Sequence, residues 1–103
     1  METIRLYEQD LINAVCLHIA QKKSLAPQDV EVELMYDDDY GFSAEVHTMG
    51  RKQVLIEANL IEALRFYLGT ETDIDPMSAG LSLLLDDEAG IVVDVTQRHS
   101  SRM

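Results

Sequence analysis

The sequence predicts an α+β fold: a duplicated (β)αββ-βαββ chain with pseudo-twofold symmetry, one mainly antiparallel sheet and two helices on one of its faces. Two observations carry this. Residues 8–48 recur without a gap as residues 57–97, with ten identities over 41 aligned positions where typical residue usage would supply roughly three. Within each copy the apolar period also changes from helical to alternating, the mark of a helix followed by a hairpin.

The identities run the length of the repeat: Glu8 on Glu57, Leu11-Ile12 on Leu60-Ile61, Ala14 on Ala63, Pro27 on Pro76, Leu34 on Leu83, Asp37-Asp38 on Asp86-Asp87, Gly41 on Gly90 and Val46 on Val95. Two copies are too few for a solenoid. They suit one domain over residues 1–97, in which each copy covers the other's apolar face. Residues 98–103 fall outside the repeat and read as a flexible tail.

Each element follows from its own residues. Ile4-Arg5-Leu6-Tyr7 reads as a short edge strand. Leu11, Ile12, Val15, Cys16 and Ile19 form a helical stripe, with Asp10 or a neighbour as cap and Lys22-Lys23 at the negative end of the helix dipole. Val30, Val32, Leu34 and Tyr36 alternate with Glu31, Glu33 and Met35, then Phe42, Ala44 and Val46 with Ser43, Glu45 and His47. The two strands make a hairpin through Asp37–Gly41, with Glu33 opposite Glu45, Glu31 opposite His47 and Tyr36 opposite Phe42. Gln53–Ile56 reads as a strand. Asn59 is placed to cap the second helix with Glu62 three residues on, and Leu60, Ile61, Leu64 and Leu68 form its stripe before Gly69 as a stop. Leu81, Leu83 and Leu85 return as Ile91, Val93 and Val95.

Composition narrows the function classes. With 19 acidic against 8 basic residues, the net charge is −11, which disfavours direct nucleic-acid or anionic-membrane binding. No apolar run approaches the roughly 20 residues of a membrane span, and the N-terminus has no signal-peptide pattern, so a cytoplasmic protein is expected. The lone Cys16 agrees with a reducing compartment. No Ser/His/Asp arrangement, Walker loop, Rossmann glycine pattern or Cys-x-x-Cys is present, so neither an enzyme nor a cofactor is expected. Cys16 reads as a small core residue, and His18 as a packing residue at the edge of the stripe.

Two surfaces remain as candidates. Glu31, Glu33, Glu45 and His47 converge on the face away from the helices, a donor set suited to Zn or Mn, though a solvated acidic face is the commoner meaning of such a cluster. Met35, Leu84 and Val92, with Leu55, place apolar groups where water-facing residues are expected, which suggests burial of that face in a homodimer. The acidic turns Asp37–Asp39 and Asp86–Glu88 lack the EF-hand spacing and read as turn chemistry. The preferred reading is a non-enzymatic, dimeric protein-interaction module. A divalent-metal or small-ligand binder is the second, and a nucleic-acid mimic that engages a basic protein is the third.

The segments Asn13–Cys16 (NAVC), Asp29–Val46 (DVEVELMYDDDYGFSAEV), Gly50–Leu68 (GRKQVLIEANLIEALRFYL) and Asp75-Pro76 resemble the YxcD-like proteins, small single-domain proteins of Bacillus-type bacteria assigned to a domain of unknown function. The resemblance implies a bacterial cytosolic setting and carries no activity, ligand or site.

Overall fold

Described over residues 2–97, the computed structural model consists of six strands and two helices. They run β1 (Glu2–Leu6), α1 (Glu8–Lys23), a 3-10 turn (Pro27–Asp29), β2 (Val30–Asp37), β3 (Gly41–Thr48), β4 (Arg51–Ile56), α2 (Glu57–Glu71), β5 (Gly80–Asp86) and β6 (Gly90–Gln97). The tail expected over 98–103, with His99, lies outside the described residues. Among the described residues no helix is long and apolar enough to cross a membrane.

The fold is α+β, but the single sheet expected from sequence is replaced by two three-stranded antiparallel sheets, ordered β1-β6-β5 and β2-β3-β4. The physical reason lies in the third strands. Each hairpin takes its third strand from the other half of the chain: β1 pairs with β6, and β4 pairs with β3. Every strand and α-helix of the first half has a counterpart 49 residues on, to within one residue at its ends. The pairings follow the same offset, as Leu6↔Val93 and Leu55↔Ala44 illustrate. Inside the hairpins the expected register holds, with Glu31↔His47, Glu33↔Glu45 and Tyr36↔Phe42.

Both helices bury one stripe at i, i+3, i+4, i+8. In α1 it is Leu11, Ala14, Val15 and Ile19; in α2 it is Leu60, Ala63, Leu64 and Leu68. The helices touch each other, and Ala14 and Ala63 are both fully buried, small side chains that suit a close helix contact. Beneath them lie Val30, Ala44, Val46 and Leu55 of one sheet and Leu83, Ile91, Val93 and Val95 of the other. The molecule measures 50 × 32 × 20 Å. A sheet and a layer of helices 10–12 Å across fill a thickness of about 20 Å, so the far faces of the sheets are left uncovered.

Helix ends depart from the sequence reading. Tyr7, not Asp10, is the N-cap of α1; Asp10 stands at the third position and its carboxylate accepts the Tyr7 N–H at 3.0 Å. Asn59 plays the same part in α2, accepting the Ile56 N–H at 3.0 Å, rather than capping the helix itself. Nor does Gly69 stop α2, which continues to Glu71. A Cβ at Gly69 would lie 3.2 Å from Pro76 Cγ, so its lack of a side chain serves packing of the following loop. Arg65 holds that loop by donating to the carbonyls of Pro76 and Ala79.

Candidate functional site: the outer face of the β2-β3-β4 sheet

Alternation along the strands sends Leu34, Ala44 and Leu55 towards the helices and the intervening residues outward. The outer face of the β2-β3-β4 sheet is therefore built of three cross-strand rows: Met35–Ser43–Ile56, Glu33–Glu45–Val54 and Glu31–His47–Lys52. One end is apolar and the other is charged.

At the charged end the register brings the four proposed metal ligands onto one face, yet they do not assemble into a site. Glu45 lies between His47, whose Nε2 is 3.4 Å from one carboxylate oxygen, and the Lys52 ammonium, 4.0 Å from the other. The lysine offsets the like-charge pairing with Glu33 that the register imposes. Among the described residues no group of three or more His, Cys, Asp or Glu side chains is arranged to hold a metal ion.

The apolar end is open. Val54 is 54% and Ile56 60% exposed, and they border a concavity of about 720 Å³ with Met35, Ser43, Tyr40 and the pair Tyr36–Phe42, whose rings meet at a tilt of 55°. Tyr40, at the hairpin tip, is 88% exposed. The turn beneath it is fixed by Asp37, whose carboxylate accepts the N–H groups of Asp39 and Tyr40 at 2.7 and 3.1 Å. Asp86 accepts from Glu88 and Ala89 in the same way. The acidic turns are thus held by Asx chemistry.

The corresponding face of the β1-β6-β5 sheet is bridged by an ion-pair network. Arg5 stands where the other sheet has Val54, 49 residues on. Its Nε donates to Asp94 Oδ1 at 2.8 Å, and Nη1 lies 3.5 Å from Asp86. The diagonal from Arg5 to Asp86 runs over Val92, which is completely buried. Hydrogen bonding to Arg5 holds the Asp94 carboxyl below its usual range. Asp86 is held low first by the Ala89 and Glu88 N–H groups and then by Arg5.

Of the interface residues expected from sequence, the structure places Met35 at the open apolar end and Leu84, 40% exposed, on the far face of the other sheet. Leu55 and Val92 are corrected. Leu55 points into the core, one residue out of phase with the outward Val54 and Ile56. Val92 does face outward, but the Arg5 clamp removes it from solvent. Sequence reasoning missed Val54, Ile56 and the tyrosines. The signal present was the apolar run Val54-Leu55-Ile56, whose two outer members share the opposite face from the middle one.

Cys16 is a packing residue, as expected. Its thiol points to the Val30 carbonyl at 3.5 Å, and burial pushes its pKa up, away from the thiolate a nucleophile needs. His18 also packs, its ring tilted against that of Phe66 with centroids 5.3 Å apart.

A family model described as "Protein of unknown function (DUF2653)" matches residues 1–88. The chain belongs to that family. Its description names no activity, so the site rests on its geometry. No curated protein and no solved structure matches the chain.

Proposed function

We propose that this member of the DUF2653 family is a non-enzymatic protein-interaction module, that its working surface is the outer face of the β2-β3-β4 sheet, and that a second copy of the chain occupies it. One observation carries the reading. The two sheets are built alike, yet on one outer face Arg5, Asp94 and Asp86 bridge over a buried Val92 and leave Leu84 as its exposed apolar residue, while the other leaves Val54 and Ile56 beside an open apolar concavity. Exposed apolar residues gathered at one place, with polar groups at the rim, are what a docking surface requires.

A twofold contact centred on the Met35–Ser43–Ile56 row would set apolar row against apolar row. It would carry the Glu31–His47–Lys52 rows outward to opposite ends, where like charges stay apart and solvated. The test is the mass in solution. Light scattering at micromolar concentration should give twice 11.6 kDa, and a monomer at all concentrations would sink the homodimer.

A second reading has its own observation. Glu31, Glu33 and the Asp37–Asp39 turn, exposed apart from their turn bonds, rim the same face, which suits a partner segment that is both apolar and basic. Such binding would weaken steeply with added salt. A wild-type monomer that captures a basic amphipathic segment at low salt but not at high salt would favour this occupant. The common 49-residue offset of elements and pairings supports reading the two halves as copies of one unit. The YxcD-like resemblance supports a bacterial, cytosolic setting.

A further inference from the structure

A second concavity lies on the other side of the β2-β3-β4 sheet, between the C-terminal half of α1 and the start of α2. It holds about 110 Å³ and is lined by His18, Lys22, Lys23, Gln53, Asn59 and Glu62, with Ile19 and Leu55 at its apolar wall. In a chain of net charge −11, this small space has two ammonium groups and a single carboxylate around it.

Its donors are largely unspent. Lys23 Nζ gives one bond, to Thr48 Oγ1 at 3.2 Å, leaving two N–H groups. Among the described residues the Lys22 ammonium pairs only with the Glu62 carboxylate, at 4.0 Å. Asn59 uses its Oδ1 to accept the Ile56 N–H, so what it can offer a ligand is its NH2 group. His18 is the telling member. Its side chain is 12% exposed, and its Nε2 is buried without a hydrogen-bond partner among the described residues. Glu62 Oε1 is its nearest acid, at 3.9 Å, beyond hydrogen-bond length. A buried polar atom with no partner calls for a reason, and here its residue, His18, lines a pocket rimmed by donors.

The 49-residue offset supplies an internal control. The counterparts of His18, Lys22, Lys23 and Asn59 are Tyr67, Glu71, Thr72 and Asp10. The fold is shared by both halves, so it does not account for the cations; they belong to one half alone.

We propose that this pocket binds one small oxyanion, a carboxylate or phosphate group, between the Lys22 and Lys23 ammoniums, with Asn59 and Gln53 donating from their amides beside the buried His18 imidazole. The volume admits a group of that size and little more, so a larger ligand would present its anionic end here. Glu62, with its side chain 58% exposed, stays at the mouth, paired to Lys22. The groups that face His18 are Lys22 and Lys23 from α1 and Glu62 from α2, and β4 contributes only the uncharged Gln53 and Leu55. Burial first, then Lys22, hold the imidazole pKa below its ordinary value, against a smaller upward pull from Glu62. A bound anion adds negative charge to that balance and must raise the pKa.

The experiment is an NMR titration of the intact chain with inorganic phosphate and, separately, with acetate, each against sodium chloride at matched ionic strength. The proposal expects saturable shifts of the His18 imidazole and Asn59 amide signals, one ion per chain, and a His18 pKa that rises with occupancy. In Lys22→Gln/Lys23→Gln the affinity should fall about tenfold or more, while Lys52→Gln, outside the pocket, should leave it unchanged. Saturation by phosphate alone assigns the site to phosphoryl groups, and saturation by acetate as well assigns it to carboxylates too. Shifts that stay linear and match those of chloride overturn the proposal, as does undiminished affinity in the double lysine variant with its fold verified by circular dichroism.

Discussion

Val54→Arg would copy onto the open sheet the clamp that bridges the other. Val54 lies directly opposite Glu45, as Arg5 lies opposite Asp94, and Asp37 pairs with Gly41 as Asp86 pairs with Gly90. The introduced guanidinium would therefore find a carboxylate across the strand and a second on the diagonal, over Ser43. Exposed ion pairs of this kind contribute about 0–1 kcal/mol, so the fold should melt within a few degrees of wild type. Self-association should suffer far more. Val54 is 54% exposed, which for valine is roughly 80 Å², or about 2 kcal/mol of burial at 25 cal/mol/Å². A symmetric dimer buries it twice. Losing about 4 kcal/mol raises the dissociation constant by about three orders of magnitude, before any cost of desolvating the guanidinium. Sedimentation velocity across the micromolar range measures this. An unchanged dissociation constant in a well-folded variant would refute the assignment of the interface to this face.

Other expectations follow from the same geometry. The reciprocal Arg5→Val should uncover Val92 and add self-association. It should also return the Asp94 carboxyl fully to its ordinary range and Asp86 only in part, since the Ala89 and Glu88 N–H groups stay in place; NMR pH titration of both carboxyls checks this. Gly41 and Gly90 share φ near +80°, but a Cβ at Gly90 would strike the Glu8 carboxylate, which accepts the Ile91 N–H at 2.9 Å, while at Gly41 the nearest atom is Glu57 Oε1 at 3.7 Å. Gly41→Ala should cost about 1 kcal/mol for its left-handed backbone and Gly90→Ala about 1–2 kcal/mol more for the displaced contact; equal losses in urea denaturation would contradict this. For His18, burial lowers the folded pKa below 6.5, so at falling pH the unfolded chain takes up a proton that the folded chain resists. Stability should drop as pH falls from about 7 through the unfolded value near 6.5, and His18→Tyr, the residue at the offset position, should remove that part of the slope in urea midpoints compared at two pH values.

The local architecture was legible from the chain because its causes are local. Alternation and turn residues specify each hairpin and its register, so Glu33 opposite Glu45 could be read directly. The division into two sheets could not. It depends on which hairpin the strands Glu2–Leu6 and Arg51–Ile56 join, and strand pairing across most of the chain leaves no mark in local periodicity. Val92 shows the same limit, since its partner Arg5 lies 87 positions away. Leu55 failed for another reason. In a short run of three apolar residues the phase is ambiguous, and only the pairing with Ala44 settles which residue points inward. His18 was recognised as a packing residue, but the lysines beside its ring come from the next helical turn, and the pocket needed α2 and β4 to close it.

The exchange of third strands makes the two sheets unequal in the order in which they can assemble. β2, β3 and β4 are consecutive, each joined to the next by a short turn, so that sheet closes by small loops. The β1-β6 pairing brings Glu2 beside Gln97 and must close a loop that spans almost the whole described chain, at an entropic cost that rises with the logarithm of its length. Long-range pairing of this kind is the slow kind. A strand that joins last, at an edge, is also the one whose place another chain's strand could take. Until Glu2–Leu6 arrives, the edge of β6 is unpaired, and concentrated refolding exposes that edge before the chain has covered it.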